Sequence, residues 1–273
     1  MADHQKEIEE FGNNNDFWLF GYGSLIWKPP PHYDQRVPGY IEGYVRRFWQ
    51  ASEDHRGTPE APGRVVTLID KAHWDTLTDH HVSTERVWGA AYHIPTQHVA
   101  EVRNYLDIRE INGYSIQFTP FHPAAPSTTS AIATESATAV PTSNSKTPSS
   151  PSPSPPSIRC LVYIGLPSNP QFLGPQDPDA LARKILESTG PSGENKEYLY
   201  NLEKALEGLS SESEDAHVKD LVARCREIES SGERENVGVG RIVGGGTGIK
   251  GGGHGGHELH RVGSTEEVEE VEK

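Results

Sequence analysis

A chain of 273 residues suits one domain plus appendages, and a hydrophobic content of 34% leaves part of it outside any packed core. The net charge of −14, from 39 acidic against 25 basic residues, argues against nucleic acid or an anionic membrane as the main partner. Two cysteines, Cys160 and Cys225, exclude a disulfide framework and read as reduced, buried thiols.

Residues 1–16 read as an acidic tail of charge −4 without a basic-then-apolar leader. No later run approaches the ~18 apolar residues of a membrane helix, so a soluble, cytoplasmic protein is expected. Phe17-Trp18-Leu19-Phe20 is short and apolar enough for a buried strand. Gly21 and Gly23 then bracket Tyr22, so the backbone can turn sharply and approach a ligand where a β-carbon would clash. A strand ending in such a turn can aim consecutive N–H groups at an anion or a developing oxyanion. Pro29-Pro30-Pro31 forces an extended exit.

Residues 37–50 alternate as one strand, with Tyr40, Tyr44 and Phe48 toward the core. Arg46 and Arg47 stand among aromatics, and two readings stay open. One has an arginine in solvent and the other lying over Trp49 or Tyr44; the other has one of them gripping a substrate carboxylate in a fork. Asp54-His55-Arg56-Gly57 reads as a loop rich in polar chemistry, and Gly63–Asp70 as a β-branched strand. Lys71–Arg86 holds His73, Asp79, His80 and His81 at a spacing that fits no zinc pattern, and reads as a surface loop.

Val87–Ile94 is a further strand. Thr96 can cap a helix to about Asp107, with Val99, Val102 and Leu106 on one face. Glu110 follows, just before the turn Asn112-Gly113. By residue type it is a surface glutamate, yet an element-terminal position lets it point into a cleft. Glu101, one helix earlier, is a reserve carboxylate. Tyr114–Phe121 is a strand. Residues 122–157 then contain eight prolines and sixteen serines or threonines and no Phe, Trp or Tyr. Such a segment cannot bury enough apolar surface to offset its ordering entropy, and reads as a disordered insertion.

Ile158–Gly165 restores the strand pattern with Leu161, Tyr163 and Ile164. Asp177–Glu187 is a helix; Ser192 or Asn195 opens a second that uses Tyr198, Leu199, Leu202, Ala205 and Leu206. A third, roughly Ser213–Ile228, buries Val218, Leu221, Val222 and Cys225. Tyr163, Asn195 and Tyr198 are open between packing and pocket lining. Residues 229–273, of charge −4, read as a glycine-rich, acidic, flexible tail. Gly246-Thr247-Gly248-Ile249-Lys250-Gly251 matches G-x-G-x-x-G, but without a preceding strand it is not read as a dinucleotide site. His254, His257 and His260 are left as tail residues. Strands followed by helices make an α+β domain.

Several blocks resemble one family in their order. They are Phe20-Gly21-Tyr22-Gly23-Ser24-Leu25-Ile26-Trp27-Lys28, Gly43–Gln50, Asp54–Gly57, Pro62–Leu68, Val87–Tyr92, Tyr105–Tyr114, Leu161–Gly165, Phe172–Pro175 and Gly190–Leu199. Together they are similar to the ChaC-type γ-glutamylcyclotransferases, which cleave glutathione, across residues 17 to about 225. The resemblance implies a small mixed β-barrel with peripheral helices, a catalytic domain at 17–228, and no cofactor or metal. It implies Glu110 as the catalytic carboxylate. It further implies a glutathione pocket built from Leu19, Phe20, Gly21, Tyr22, Gly23, Ser24, Leu25, Arg47, Asp54, His55, Arg56 and Tyr114.

Other classes stay open on the residues. A serine hydrolase would use Ser24 with His55 and an aspartate, although the second glycine of a G-x-S-x-G elbow is missing. A non-catalytic scaffold of the same fold would use its long insertion and tails. Within the family, another γ-glutamyl compound is the competing substrate.

Overall fold

The computed structural model describes residues 10–11, 16–109, 114–124 and 156–240, with backbone only at 107–109, 114 and 232–240. Glu110, the Asn112-Gly113 turn, insertion residues 125–155, the G-x-G-x-x-G stretch and the three tail histidines lie outside the described residues. Two units divide the chain, residues 1–231 and 232–273.

The expected α+β architecture with a small barrel is present. Strands β1 (Phe17–Gly21), β2 (Gln35–Glu42), β5 (Arg86–Ile94), β6 (Tyr114–Pro123) and β7 (Ile158–Gly165) close into a barrel in the order β1-β5-β2-β6-β7. Neighbours run antiparallel except at the closure, where β7 meets β1 in parallel through Leu161 and Leu19. All five residues of β1 are buried. A strand covered on both faces reads as an unbroken apolar run, which is what Phe17-Trp18-Leu19-Phe20 displays. β6 runs two residues past Phe121, pairing Tyr40 with His122 and Gly39 with Pro123, so the ladder enters the compositionally biased segment before leaving it.

The single strand expected over 37–50 is two. Gly43 breaks it with a left-handed backbone (φ 83°), and β3 (Tyr44–Ser52) leaves the barrel to pair with β4 (Gly63–Asp70). Their register shifts between Arg47 and Gln50, a bulge-like irregularity. The 71–86 stretch is not all loop. Asp70 accepts hydrogen bonds from the Ala72 and His73 amides and caps a one-turn helix, α1 (Lys71–Trp74).

A 3-10 turn at Thr96–His98 leads into α2 (Val99–Arg109), which buries Val99, Val102 and Leu106 as expected. Thr96 lies inside that turn, which Pro95 precedes. α3 (Pro178–Glu187) starts with proline in its first turn and Asp177 accepting from the Asp179 and Ala180 amides. α4 (Asn195–Glu207) buries Tyr198, Leu199, Leu202 and Leu206. α5 (Ala216–Gly240) buries Val218, Leu221, Val222 and Cys225 and continues twelve residues beyond the expected end at Ile228. Among the described residues, no helix is long and apolar enough to cross a membrane. Cys160 and Cys225 are both free and buried, and burial pushes each thiol well above its ordinary value, Cys225 to about 12.

Candidate active site

β1 ends at Gly21, and the chain folds into a 3-10 turn at Ser24–Ile26. The turn's own hydrogen bonds begin with the Ile26 amide donating to the Gly23 carbonyl; the Ser24 and Leu25 amides lie upstream of it. Both glycines are required by close approach. A β-carbon on Gly21 would stand 2.6 Å from Leu25 Cβ, and one on Gly23 would stand 2.9 Å from the Tyr198 hydroxyl and 3.0 Å from Val66 Cγ2. The Tyr22 hydroxyl donates to the Tyr163 carbonyl at 2.8 Å, fastening the turn to β7.

α4 is brought over this turn by one buried amide. Asn195 Oδ1 accepts from the Arg64 N–H and its Nδ2 donates to the Arg64 carbonyl, each at 2.7 Å. A side chain that could have lined the pocket is instead a clamp between α4 and β4. Tyr198, one turn further on, packs edge-on against Trp27 and Phe48, and its hydroxyl stands against Gly23.

The turn and Tyr198 both line a cleft of about 130 Å³. Its lining joins Phe20 and Tyr22–Leu25 to Asp54, His55 and Arg56, bringing together eight of the expected site residues. Lys28, Ala51, Ser52, Val65, Val66, Gln171, Ser192 and Trp27 were not anticipated, and Tyr163 and Tyr198 resolve as lining. Most of these arrive from separate strands and helices, so local pattern carried no signal for them.

The 54–57 loop is firmly held. The Arg56 amide donates to Ser52 Oγ at 3.0 Å, and its guanidinium donates to the Glu194 carbonyl at 2.8 Å and to Glu197 at 3.2 Å. His55 Nδ1 faces Ser192 Oγ at 3.2 Å and its Nε2 faces Asp54 at 3.9 Å. On β3, Arg46 is 1% exposed. It donates to the Trp88 carbonyl and lies 3.7 Å from Asp215; burial pulls its guanidinium below the usual value. Of the charged side chains, Lys28, Asp54 and Arg56 line the cleft, and Arg46 does not.

Three expected residues stand elsewhere. Leu19 is wholly buried in β1 and not on the lining, because its neighbours alternate across the strand. Gly21 shapes the turn without lining the cleft. Arg47 does not reach it either, since its guanidinium is occupied by Asp79 at 2.5 Å and by the carbonyls of Arg46, His81 and Val82. Tyr114 opens β6 opposite Gly165, with only its backbone described, and Glu110 directly follows α2 in sequence.

The chain is similar to proteins of known activity. A glutathione-specific gamma-glutamylcyclotransferase of Schizosaccharomyces pombe is 41% identical over 211 residues, covering 77% of this chain and 92% of that protein. The Saccharomyces cerevisiae protein of the same name is 38% identical over 225 residues, 76% of this chain and 93% of its own. A crystal structure of a yeast gamma-glutamyl cyclotransferase specific to glutathione superposes with a TM-score of 0.62 at 36% identity, covering 78% of this chain and 98% of that one. The model of the ChaC-like protein family matches residues 17–228, from the first barrel strand into the last helix. This chain therefore belongs to the ChaC-like family.

Proposed function

We propose that this protein degrades glutathione in the cytoplasm, closing its γ-glutamyl group to 5-oxoproline and releasing Cys-Gly. The observation that carries the reading is the cleft lined by Tyr22–Leu25 and Tyr198, in a chain matching more than nine-tenths of two glutathione-specific relatives. The α-amine of the γ-glutamyl residue attacks the side-chain carbonyl of the same residue, and a five-membered lactam forms as the C–N bond to cysteine breaks. Because attack is intramolecular, the protein's main task is to hold the curled conformer, and no protein nucleophile or cofactor is needed.

The amine is an ammonium at neutral pH, with a pKa of about 8, and must lose a proton before attack. Glu110 is assigned as the base that takes it and as the acid that then protonates the departing amine, a role worth about 10²–10⁴-fold. The amides at the start of the Ser24–Ile26 turn are assigned to the tetrahedral oxyanion, where one lost donor costs about 3–4 kcal/mol. Lys28 suits a carboxylate of an anionic tripeptide. The partners of His55, Ser192 and Asp54, weigh against a Ser24–His55 nucleophile pair.

Product identity tests the reading. Purified protein given glutathione should yield 5-oxoproline and Cys-Gly in equal amounts. Free glutamate instead of 5-oxoproline would mean hydrolysis and reject the cyclisation; turnover of γ-glutamyl amines in preference to glutathione would move the substrate class.

A further inference from the structure

His32, His98 and Glu101 come together on the surface, and none of them lines the cleft. His32 is, among the described residues, the one non-glycine with a left-handed backbone (φ 60°), held there immediately after Pro31. Its ring stacks on that of His98 with centroids 4.2 Å apart and planes 6° from parallel. Glu101 stands three residues after His98, so both side chains leave the same face at the start of α2. One carboxylate oxygen meets His32 Nε2 at 2.9 Å, and the other faces His98 Nδ1 at 3.6 Å. These contacts, that with His32 foremost, hold the Glu101 carboxyl below the ordinary glutamate value.

An ordinary surface ion pair needs one histidine. Here a second is stacked behind the first and turned to the same carboxylate. Two imidazole nitrogens and one carboxylate oxygen lie within 4.8 Å of one another. A tetrahedral zinc ion, with bonds of about 2.0–2.2 Å, asks its ligand atoms to stand roughly 3.3–3.5 Å apart. Exposed side chains reach that spacing by small torsional adjustments. A donor set with two nitrogens suits zinc and neighbouring transition ions rather than calcium or magnesium, which take oxygen.

We propose that His32, His98 and Glu101 form a surface site for a zinc-class divalent ion, tying the segment between the cleft turn and β2 to the first turn of α2. The site is independent of the reaction assigned above. Its function would be mechanical: His32 follows Trp27 and Lys28, two cleft residues, by only a few positions.

The test uses the full chain, stripped with a chelator and then titrated with zinc alone, followed by calorimetry and thermal unfolding. One zinc should bind per chain at this site and raise Tm. His98→Gln and Glu101→Gln should each weaken binding by about tenfold or more and abolish the Tm rise. The triple change His254→Gln, His257→Gln and His260→Gln, in the tail, should leave both intact. Cobalt(II) should give the visible absorption of a four-coordinate ion in the wild type and not in His98→Gln. No zinc binding by the wild type, binding unaltered in His98→Gln and Glu101→Gln, or loss only in the tail variant would each overturn the assignment.

Discussion

Arg47 Nε donates to Asp79 Oδ2 at 2.5 Å, in a pair whose side chains are 2% and 5% exposed. Trp74 Nε1 donates to the same oxygen at 2.9 Å. Burial pushes the Asp79 carboxyl up, but the hydrogen bonds from Arg47 and Trp74 outweigh it and hold the group below the ordinary aspartate value. Desolvating two charges is repaid only where the geometry is this complete. Arg47 thus pins the 75–86 segment onto β3 and is not free to take a substrate carboxylate.

Removing its partner should be costly. Asp79→Ala is expected to destabilise the protein by about 3–5 kcal/mol, because an uncompensated buried cation remains. Urea unfolding measures this, and KM for glutathione in the folded fraction should stay at the wild-type value. A large KM increase with unchanged stability would return Arg47 to the substrate.

Gly23 faces the Tyr198 hydroxyl, which is wedged between Trp27 and Phe48 and cannot easily retreat. Gly23→Ala should therefore displace the turn from α4 and lower kcat/KM by about 10–100-fold, the scale of a misplaced reacting group. Adding Tyr198→Phe removes the hydroxyl from the 2.9 Å contact and should restore part of the loss. Steady-state kinetics of the two variants decide; no rescue would place the defect with Val66 instead.

Much of this was legible in the residues. The continuous apolar runs of β1 and β7 and the i, i+3, i+4, i+7 burial of α5 expressed themselves directly in periodicity. The break between β2 and β3 was not legible, because strand-forming residues stand on both sides of Gly43 and its left-handed backbone, which the residue type alone does not reveal, ends the strand. The glycine turn announced the site, but its far wall did not. Tyr198 is placed by Asn195 gripping Arg64, 131 residues away in sequence, and no local pattern encodes such a contact. The pairing of Arg47 with Asp79 was not legible either, because Asp79 sits in a stretch without periodicity.

His217 makes stability depend on pH. The Phe48 amide donates to its Nε2 at 3.1 Å, which assigns the proton to Nδ1, facing His81 Nδ1 at 3.2 Å. His81 Nε2 in turn meets Asp220 at 3.0 Å. Burial, then the charges of Arg47, His81 and Arg46, hold His217 well below the ordinary imidazole value. The unfolded chain takes a proton there below about pH 6.5 while the native protein does not. The contribution is therefore complete above that pH and is lost as pH falls toward the folded value, by up to about 1.4 kcal/mol per pH unit. His217→Gln keeps an acceptor for Phe48 and should flatten the loss of stability between about pH 7.5 and about pH 5.5. An unchanged pH dependence would mean that His217 titrates normally.

The central assignment is that Glu110 moves the proton that lets glutathione cyclise. The direct measurement is kcat/KM for 5-oxoproline release by Glu110→Gln beside the wild type, with matched unfolding curves. The account predicts a fall of about 10²–10⁴-fold at unchanged stability. Activity within a few-fold of the wild type would contradict it.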